Sequence, residues 1–570
     1  MGIKHMMIWF KKNHPECITT VCANKHIGIE MDTLALDLNG IFHPCAQEIF
    51  KYGKYKPQPS LLRRPQKPES YRVLCLKTFK RVCETIDELV ERVQPKKRLL
   101  LAVDGVAGFS KMCQQRSRRY KSSKEASDDM VFDSCSITPG TEFMNDLNLY
   151  IDWYARHQIQ NGNWGDIKVI FSSEKVPGEG EHKLKILMRD YCEHNERFCI
   201  YGLDADLLML CLAMDRPNVY IYRDDMNNPT IRYILDIGKF SLKLKDELKT
   251  QTAVVDFILL CFMVGNDFLP QLPGLEILND GIDILLEIYK TTCVPCGLIN
   301  PKDGKIRIQP LLRFFIQLAP LEKTSLMKKY SKRQNYSKCE LMNKFFWNGR
   351  DGVECDFEGY KDEYYHSKLN LKSMINKSEI SGEKYSEKCD KMIDHICHEY
   401  IKGLQWVLDY YCYKIPSWTW FYPYHYGPFL DDLVKTNNFQ HKVWFKTMPC
   451  DPFFQLLLVL PKKSIKLAPH VLWDFHKNHT WYFPDDFEVD ISGKRAEWEG
   501  IALLPMLEKE NLFDFKDSYS RRKTKFSKAE KLRNNEEKTI VYLKGKETKR
   551  FECVYGDIMD CVITINKIDL

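Results

Sequence analysis

The chain has 570 residues, 44% of them hydrophobic and 28% charged, with a formal net charge of +7. That length exceeds one small core, so several domains or one large composite domain are expected. No run of about 18 uncharged apolar residues occurs, which excludes a membrane-spanning helix, and the modest net charge leaves any ligand to be read from local clusters.

The opening MGIKHMMIWFKKNHPEC has neither the apolar core nor the small-residue cleavage site of a signal peptide, so an intracellular protein is expected. The 21 cysteines fit that expectation, because many (Cys199, Cys211, Cys261) sit in apolar runs as small buried hydrophobes. Cys293 and Cys296 form a C-x-x-C with no second pair at zinc-site spacing. Met31 to Leu38 reads as a strand ending at Asp37, followed by Asn39-Gly40 and a helix start that carries His43. Residues 53–72, rich in Pro, Lys and Arg, read as an exposed loop, and a helix is expected from about Leu74 to Val93. Arg98 to Asp104 is a buried strand that again ends in an acid. From Lys111 to Lys124 there are six basic residues and no acid, the composition of a phosphate-holding patch or of a solvated basic face. Lys111, Gln115, Arg118 and Arg119 share one helical face there.

The stretch from Val169 to Leu210 organises the chain. Val169 to Phe171 is a short strand; Pro177, Gly178 and Gly180 hold a turn that presents Glu179 and Glu181 before a helix from about His182. Phe198 to Tyr201 is a second strand, released by Gly202 into Asp204 and Asp206. Two such strand-to-helix turns place four acids at the carboxyl edge of one parallel sheet. One Asp-x-Asp pair is ordinarily a turn or a cap. Two acidic pairs, each after a strand, point instead to metal-dependent phosphoryl chemistry, with hard oxygen donors that suit Mg²⁺ or Mn²⁺ better than zinc. Val219 to Tyr222 continues the sheet, and a helix from Asp256 to Val264 delivers Asn266 and Asp267.

Residues 323–390 are rich in Lys, Ser, Asn and Tyr and read as a linker with mobile pieces and one embedded helix near 360–365. Glu399 to Asp409 is an amphipathic helix suited to docking on the first domain. It leads to the aromatic run Trp418-Thr419-Trp420-Phe421-Tyr422-Pro423-Tyr424, and the chain ends in a weakly patterned basic stretch from Arg521 to Lys549.

Val176-Pro177-Gly178-Glu179-Gly180-Glu181-His182-Lys183, Tyr201-Gly202-Leu203-Asp204-Ala205-Asp206-Leu207 and Val264-Gly265-Asn266-Asp267-Phe268-Leu269-Pro270 resemble, in order, signature blocks of the XRN family of 5′→3′ exoribonucleases. Met1-Gly2-Ile3 with Trp9-Phe10, the Ile137 to Met144 block and the aromatic run from Pro416 extend the resemblance over roughly residues 1–510. The sequence departs from the family at Lys4, where a proline is usual, and at Ala107 to Ser110, where a proline and a basic residue are usual.

The resemblance implies an α/β fold: a PIN/flap-nuclease-like core with a mostly parallel central sheet, and a mainly helical second homology block around the active-site entrance. The expected divisions are 1–290 for the core, 291–390 for a partly ordered linker, 391–510 for the second block and 511–570 for a basic tail. It implies that Asp37, Asp104, Glu179, Glu181, Asp204, Asp206 and Asp267 hold two Mg²⁺ ions, with Mn²⁺ as a substitute, one activating water and the other steadying the leaving 3′-oxygen. Lys111, Gln115, Arg118 and Arg119 would receive an RNA 5′-phosphate. His43 and Trp420, in preference to Trp418, would stack on the first bases. The expected activity is processive hydrolysis of single-stranded, 5′-monophosphorylated RNA to nucleoside 5′-monophosphates by a monomeric, cytoplasmic-type member reduced to its catalytic core. A flap endonuclease acting on DNA and a catalytically silent RNA-binding scaffold are the alternatives.

Overall fold

The computed structural model describes residues 2–56, 69–125, 132–369, 371, 382–436, 438–441 and 443–570. Most of the expected 53–72 loop and part of the 323–390 linker therefore lie outside the described residues.

Among the described residues, nine strands form the main sheet: β1 (Ile18–Cys22), β2 (Thr33–Asp37), β3 (Arg98–Ala102), β4 (Lys168–Ser172), β5 (Phe198–Tyr201), β6 (Val219–Asp224), β7 (Ile231–Asp236) and, far along the chain, β12 (Thr539–Phe551) and β13 (Ile558–Ile568). Two small hairpins, β8 (Phe346–Asn348) with β9 (Val353–Cys355) and β10 (Val489–Asp490) with β11 (Ile501–Ala502), stand apart from it. The order is β1-β7-β6-β5-β2-β3-β4-β12-β13. The five central strands, β6 to β4, run parallel, and an antiparallel pair closes each side.

The chain runs outward from β2 through β3 and β4, then returns to the other side of β2 as β5. That reversal opens a crevice at the carboxyl ends of β2 and β5, the place where α/β sheets bind ligands.

Strand side chains alternate strictly between two cores. Leu34, Leu36, Leu99, Leu101, Val169 and Phe171 face one cluster, while Ala35, Leu100, Ala102, Ile170 and Ile200 face the other. The first is covered by α2 (Asn39–Phe50), α3 (Tyr71–Val93) and α5 (Glu142–Gln160). The second is covered by α1 (Met6–Asn13), α6 (Gly180–Tyr191), α7 (Leu207–Leu212), α8 (Ile237–Leu248), α9 (Ala253–Met263) and α10 (Gly281–Thr292). Both faces being covered explains why the parallel strands are apolar throughout rather than alternating with polar residues. α4 (Phe109–Glu125) packs elsewhere, against a third core.

The remainder is mainly helical: α11 (Ile308–Ser331), α12 (Glu340–Phe345), α13 (Phe357–Lys368), α14 (Gly382–Cys412), α15 (Leu430–Val434), α16 (Pro452–Val459) and α17 (Lys509–Lys523). The helix expected near 360–365 is present as α13, and its Tyr360, Tyr364 and Tyr365 pack with Phe346, Ile396 and Phe429 in a core of their own. Residues 511–570, expected as a basic tail, instead supply strands to the main sheet. β12 pairs antiparallel with β4, and Val541 and Tyr542 bury on opposite faces of the sheet. The continuous apolar run Ile540-Val541-Tyr542-Leu543 carries this strand, and the surrounding lysines hide it from a composition reading.

Candidate active site

β2 delivers Asp37, 9% exposed, to the crevice, with one carboxylate oxygen, Oδ1, buried and unpartnered. β3 delivers Asp104, whose N–H donates to Asn39 Oδ1 (3.0 Å) and whose Oδ1 accepts from Gly180 N (2.7 Å). A Cβ at position 180 would stand 2.8 Å from Asp37 Oδ1 and 3.4 Å from Asp104 Oδ1, so glycine is required for α6 to begin between the two acids. The loops after β3 and β4 are zipped together by Gly105 N to Gly178 O (2.9 Å) and Gly178 N to Val106 O (2.8 Å). Lys183, fully buried, adds a third tie: its ammonium donates to Val103 O (2.7 Å) and Ser173 O (2.8 Å). Burial lowers it to about 7, against the pull of Asp104 and Glu174.

Glu179 and Glu181 stand at the start of α6. Glu179 Oε1 accepts from Tyr410 Oη (2.7 Å), and its Oε2 pairs with Lys111 Nζ at 2.5 Å. Asp267 completes this triangle, with Oδ2 2.9 Å from Lys111 Nζ and Oδ1 accepting from Gly2 N (3.0 Å). Asp206 Oδ2 accepts from Tyr411 Oη (3.1 Å), while its Oδ1 is buried without a partner. Asp204 is exposed at the mouth.

Burial and mutual repulsion govern the charge here. Burial, then Asp104 and Asp204, push Asp37 well above the usual carboxylate range, and burial, then Asp206, do the same to Glu181. Burial raises Glu179 to about 7 against the pull of Lys111. Lys111 is driven well up by Glu179 and Asp267 in spite of its burial.

Among the described residues no three acidic, imidazole or thiol groups converge on a common point as metal ligands do. Like charges repel, and the carboxylates stand apart. The donor set is nonetheless all oxygen, with orphaned buried atoms on Asp37 and Asp206, and it fits a hard divalent cation.

The four residues of the basic face divide. Lys111 is drawn into the acids. Gln115 and Arg119 are buried, each with an unpartnered polar atom (Oε1 and Nη1), and burial brings Arg119 down to about 10. Arg118 is exposed on a groove of about 860 Å³ that also touches Gly2, Lys4 and Asp267. His43 is half-buried between these arginines and Asp204; burial, then Arg118 and Arg119, depress it to about 4, which leaves the ring neutral.

Trp420, the preferred stacking residue, stands in a packed aromatic group. Its ring is 8% exposed, lies 5.0 Å from Trp406 and 6.0 Å from Trp444, and belongs to the main core. Trp418 is half-buried, and its carbonyl accepts from Phe109 N (2.8 Å) at the start of α4, the helix that carries Lys111, Gln115, Arg118 and Arg119.

Sequence reasoning missed Tyr410 and Tyr411. The expected helix 399–409 stops one residue short of them, whereas α14 continues to Cys412. It also missed His182, stacked on Tyr410 at 3.8 Å. The signal was present in the adjacent tyrosines that continue the apolar face of that helix.

Comparison with known proteins matches residues 1–225 to the family described as XRN 5′-3′ exonuclease N-terminus, and residues 247–351 and 323–564 to the one described as Xrn1 helical domain. The second match reaches well into the segment expected to be a tail. The 5′-3′ exoribonuclease 1 of Homo sapiens is 27% identical over 96% of this chain, which spans 36% of that protein. The 5′-3′ exoribonuclease 2 homolog of Drosophila melanogaster is 28% identical over 90% of this chain and 70% of its own length. The 5′-3′ exoribonuclease 1 of Saccharomyces cerevisiae is 27% identical over 90% and 43% respectively. The chain thus spans between 36% and 70% of the length of these relatives.

Proposed function

Because the chain belongs to the XRN family, we propose that it is a 5′→3′ exoribonuclease that processively removes nucleoside 5′-monophosphates from single-stranded, 5′-monophosphorylated RNA. The observation that carries this reading is the crevice at the switch point: carboxylates on one side, and Gln115 and Arg119, buried with unpartnered polar atoms, on the helix beside them.

Asp37, Asp104, Glu179, Glu181, Asp204, Asp206 and Asp267 would hold Mg²⁺ or Mn²⁺, which when bound supplies activation of water and stabilisation of charge on the leaving oxygen. The chain's own groups do the rest. Arg119 directs its free N–H toward a terminal phosphate, with the planar fork that suits phosphate oxygens. The Gln115 amide serves as a donor when turned over, since its O and N are interchangeable in such an assignment. Lys111 bridges this pocket and the acids, and Arg118 contributes charge at its rim. A neutral His43 offers a flat face to a base without adding charge, and Trp418 is the tryptophan available to face it. Tyr410 and Tyr411 hold Glu179 and Asp206 in place and close the crevice behind them, excluding water.

The test is decay of 3′-labelled RNAs with 5′-hydroxyl, monophosphate and triphosphate ends, run in parallel with Mg²⁺. Rapid loss of the monophosphate species alone, with mononucleotide products, is the expected result. Equal decay of all three, or cleavage of branched DNA instead, overturns the reading.

A further inference from the structure

The groove that begins at Asp267 and Arg118 continues past Lys4 and Lys121 to Trp498, in the segment between β10 and β11. Trp498 is 59% exposed. It is nevertheless held in place by its neighbours. Lys121 Nζ donates to Trp498 O (3.3 Å) and Gly500 O (2.8 Å), and Lys4 Nζ donates to Glu499 O (3.4 Å). Glu499 Oε1 lies 2.9 Å from His5 Nε2, and its Oε2 accepts from Arg495 N (3.1 Å). The indole is therefore presented to the groove by a fixed backbone. Its ring lies 5.9 Å from that of His5, with Lys4 Nζ 5.6 Å from its centroid.

The cations beside it are crowded. Lys4, Lys121 and Lys494 all line the groove. Of the acids that line the groove, Asp267 pairs with Lys111, Asp490 with Lys368 and Glu499 with His5, while Glu125 attracts Lys121. Burial, then repulsion from Lys4 and Lys329, lowers Lys494 to about 8. Burial, then Lys4, lowers Lys121. Amines that disfavour one another in a groove are relieved by a polyanion, and an exposed aromatic face among them suits a base of any identity.

We infer that Trp498 with Lys4, Lys121 and Lys494 forms a second contact for single-stranded RNA, engaging the strand downstream of the first nucleotides through one stacked base and its flanking phosphates. This rests on the RNA-degrading function proposed above and adds a site to it. It would keep the strand attached between successive cleavages.

The test measures dissociation constants, without added divalent cation, for 5′-monophosphorylated RNAs of about 3 and about 12 nucleotides. Trp498→Ala should weaken the longer RNA about 5-fold or more and leave the shorter one unchanged, with Trp498→Phe restoring most of the loss. Lys121→Ala combined with Lys494→Ala should reduce the salt dependence of the longer RNA by about 0.7 per lost phosphate contact. Thermal unfolding should be unmoved in Trp498→Ala, because the ring is exposed. Unchanged binding of the longer RNA, or equal loss at both lengths, overturns the inference alone while wild-type protein still degrades RNA. Wild-type protein that neither binds nor degrades either RNA overturns both readings.

Discussion

The hydroxyl of Tyr410 is the most informative single group in the crevice, because it donates to a carboxylate that burial has raised to about 7. That hydrogen bond favours the ionised form of Glu179, and in the proposed cation-binding role protonation of Glu179 would compete with the metal. Tyr410→Phe removes the donor and keeps the ring stacked on His182. A hydrogen bond to a charged group is worth about 1.5–3 kcal/mol, or about one to two pKa units. The acidic limb of the pH–rate profile should therefore move to higher pH by about that much. A profile that keeps its limb while the rate falls uniformly would mean that Tyr410 acts on something other than Glu179. Lys111 shows the same interplay, since it stands between Glu179 and Asp267.

At the scale of elements, α11 carries a buried carboxyl that joins it to α15. Glu322 is 2% exposed, its Oε2 accepts from Leu430 N (2.9 Å), its Oε1 is unpartnered, and burial raises it to about 8. The sign follows from linkage: the folded state keeps the proton up to about 8, while the unfolded chain releases it near the ordinary glutamate value. The stabilisation is thus present at low pH and is lost as pH rises from about 4.5 through about 8, at on the order of 1.4 kcal/mol per unit across that interval. Glu322→Gln should be more stable than wild type at pH near 8 and should converge on it toward pH 5, as chemical denaturation at both values would reveal.

The carboxyl-terminal hairpin offers a second test at this scale. Tyr542 is fully buried against β4 and the 142–160 helix, where it contacts Asp152 through its hydroxyl. Removing it should cost about 3–5 kcal/mol, the range for a large aromatic deleted from a core. Tyr542→Ala with unchanged denaturation would show that the hairpin is not part of the cooperative sheet.

For the whole molecule the decisive fact is that the largest core ignores the expected division near residue 290. Ile3, Leu184, Phe257, Phe314, Trp406 and Val541 share one cluster, so α14 and β12 complete a core that the amino-terminal half begins. Residues 1–290 expressed alone should consequently expose that face and aggregate, whereas the full chain should unfold with its Trp fluorescence and the proposed RNA-degrading activity lost together. A soluble, cooperatively unfolding 1–290 fragment would show two independent units.

What the sequence alone determined was local. The strand ends at Asp37, Asp104, Asp204 and Asp206, the glycine turn before Glu179 and Glu181, and the basic face of α4 were legible because strand period, helix period and glycine placement are short-range rules. Motif order carried the family resemblance, and the resemblance implied the fold class. Tertiary structure alone decided which of two nearby tryptophans is core, which lysine neutralises the acids, that a lysine-rich ending supplies two sheet strands, and that Tyr410 and Tyr411 reach Glu179 and Asp206 from more than 200 residues away. Those outcomes depend on burial and on charges brought together from distant positions. Both are properties of contacts between segments, and no window along the chain contains them.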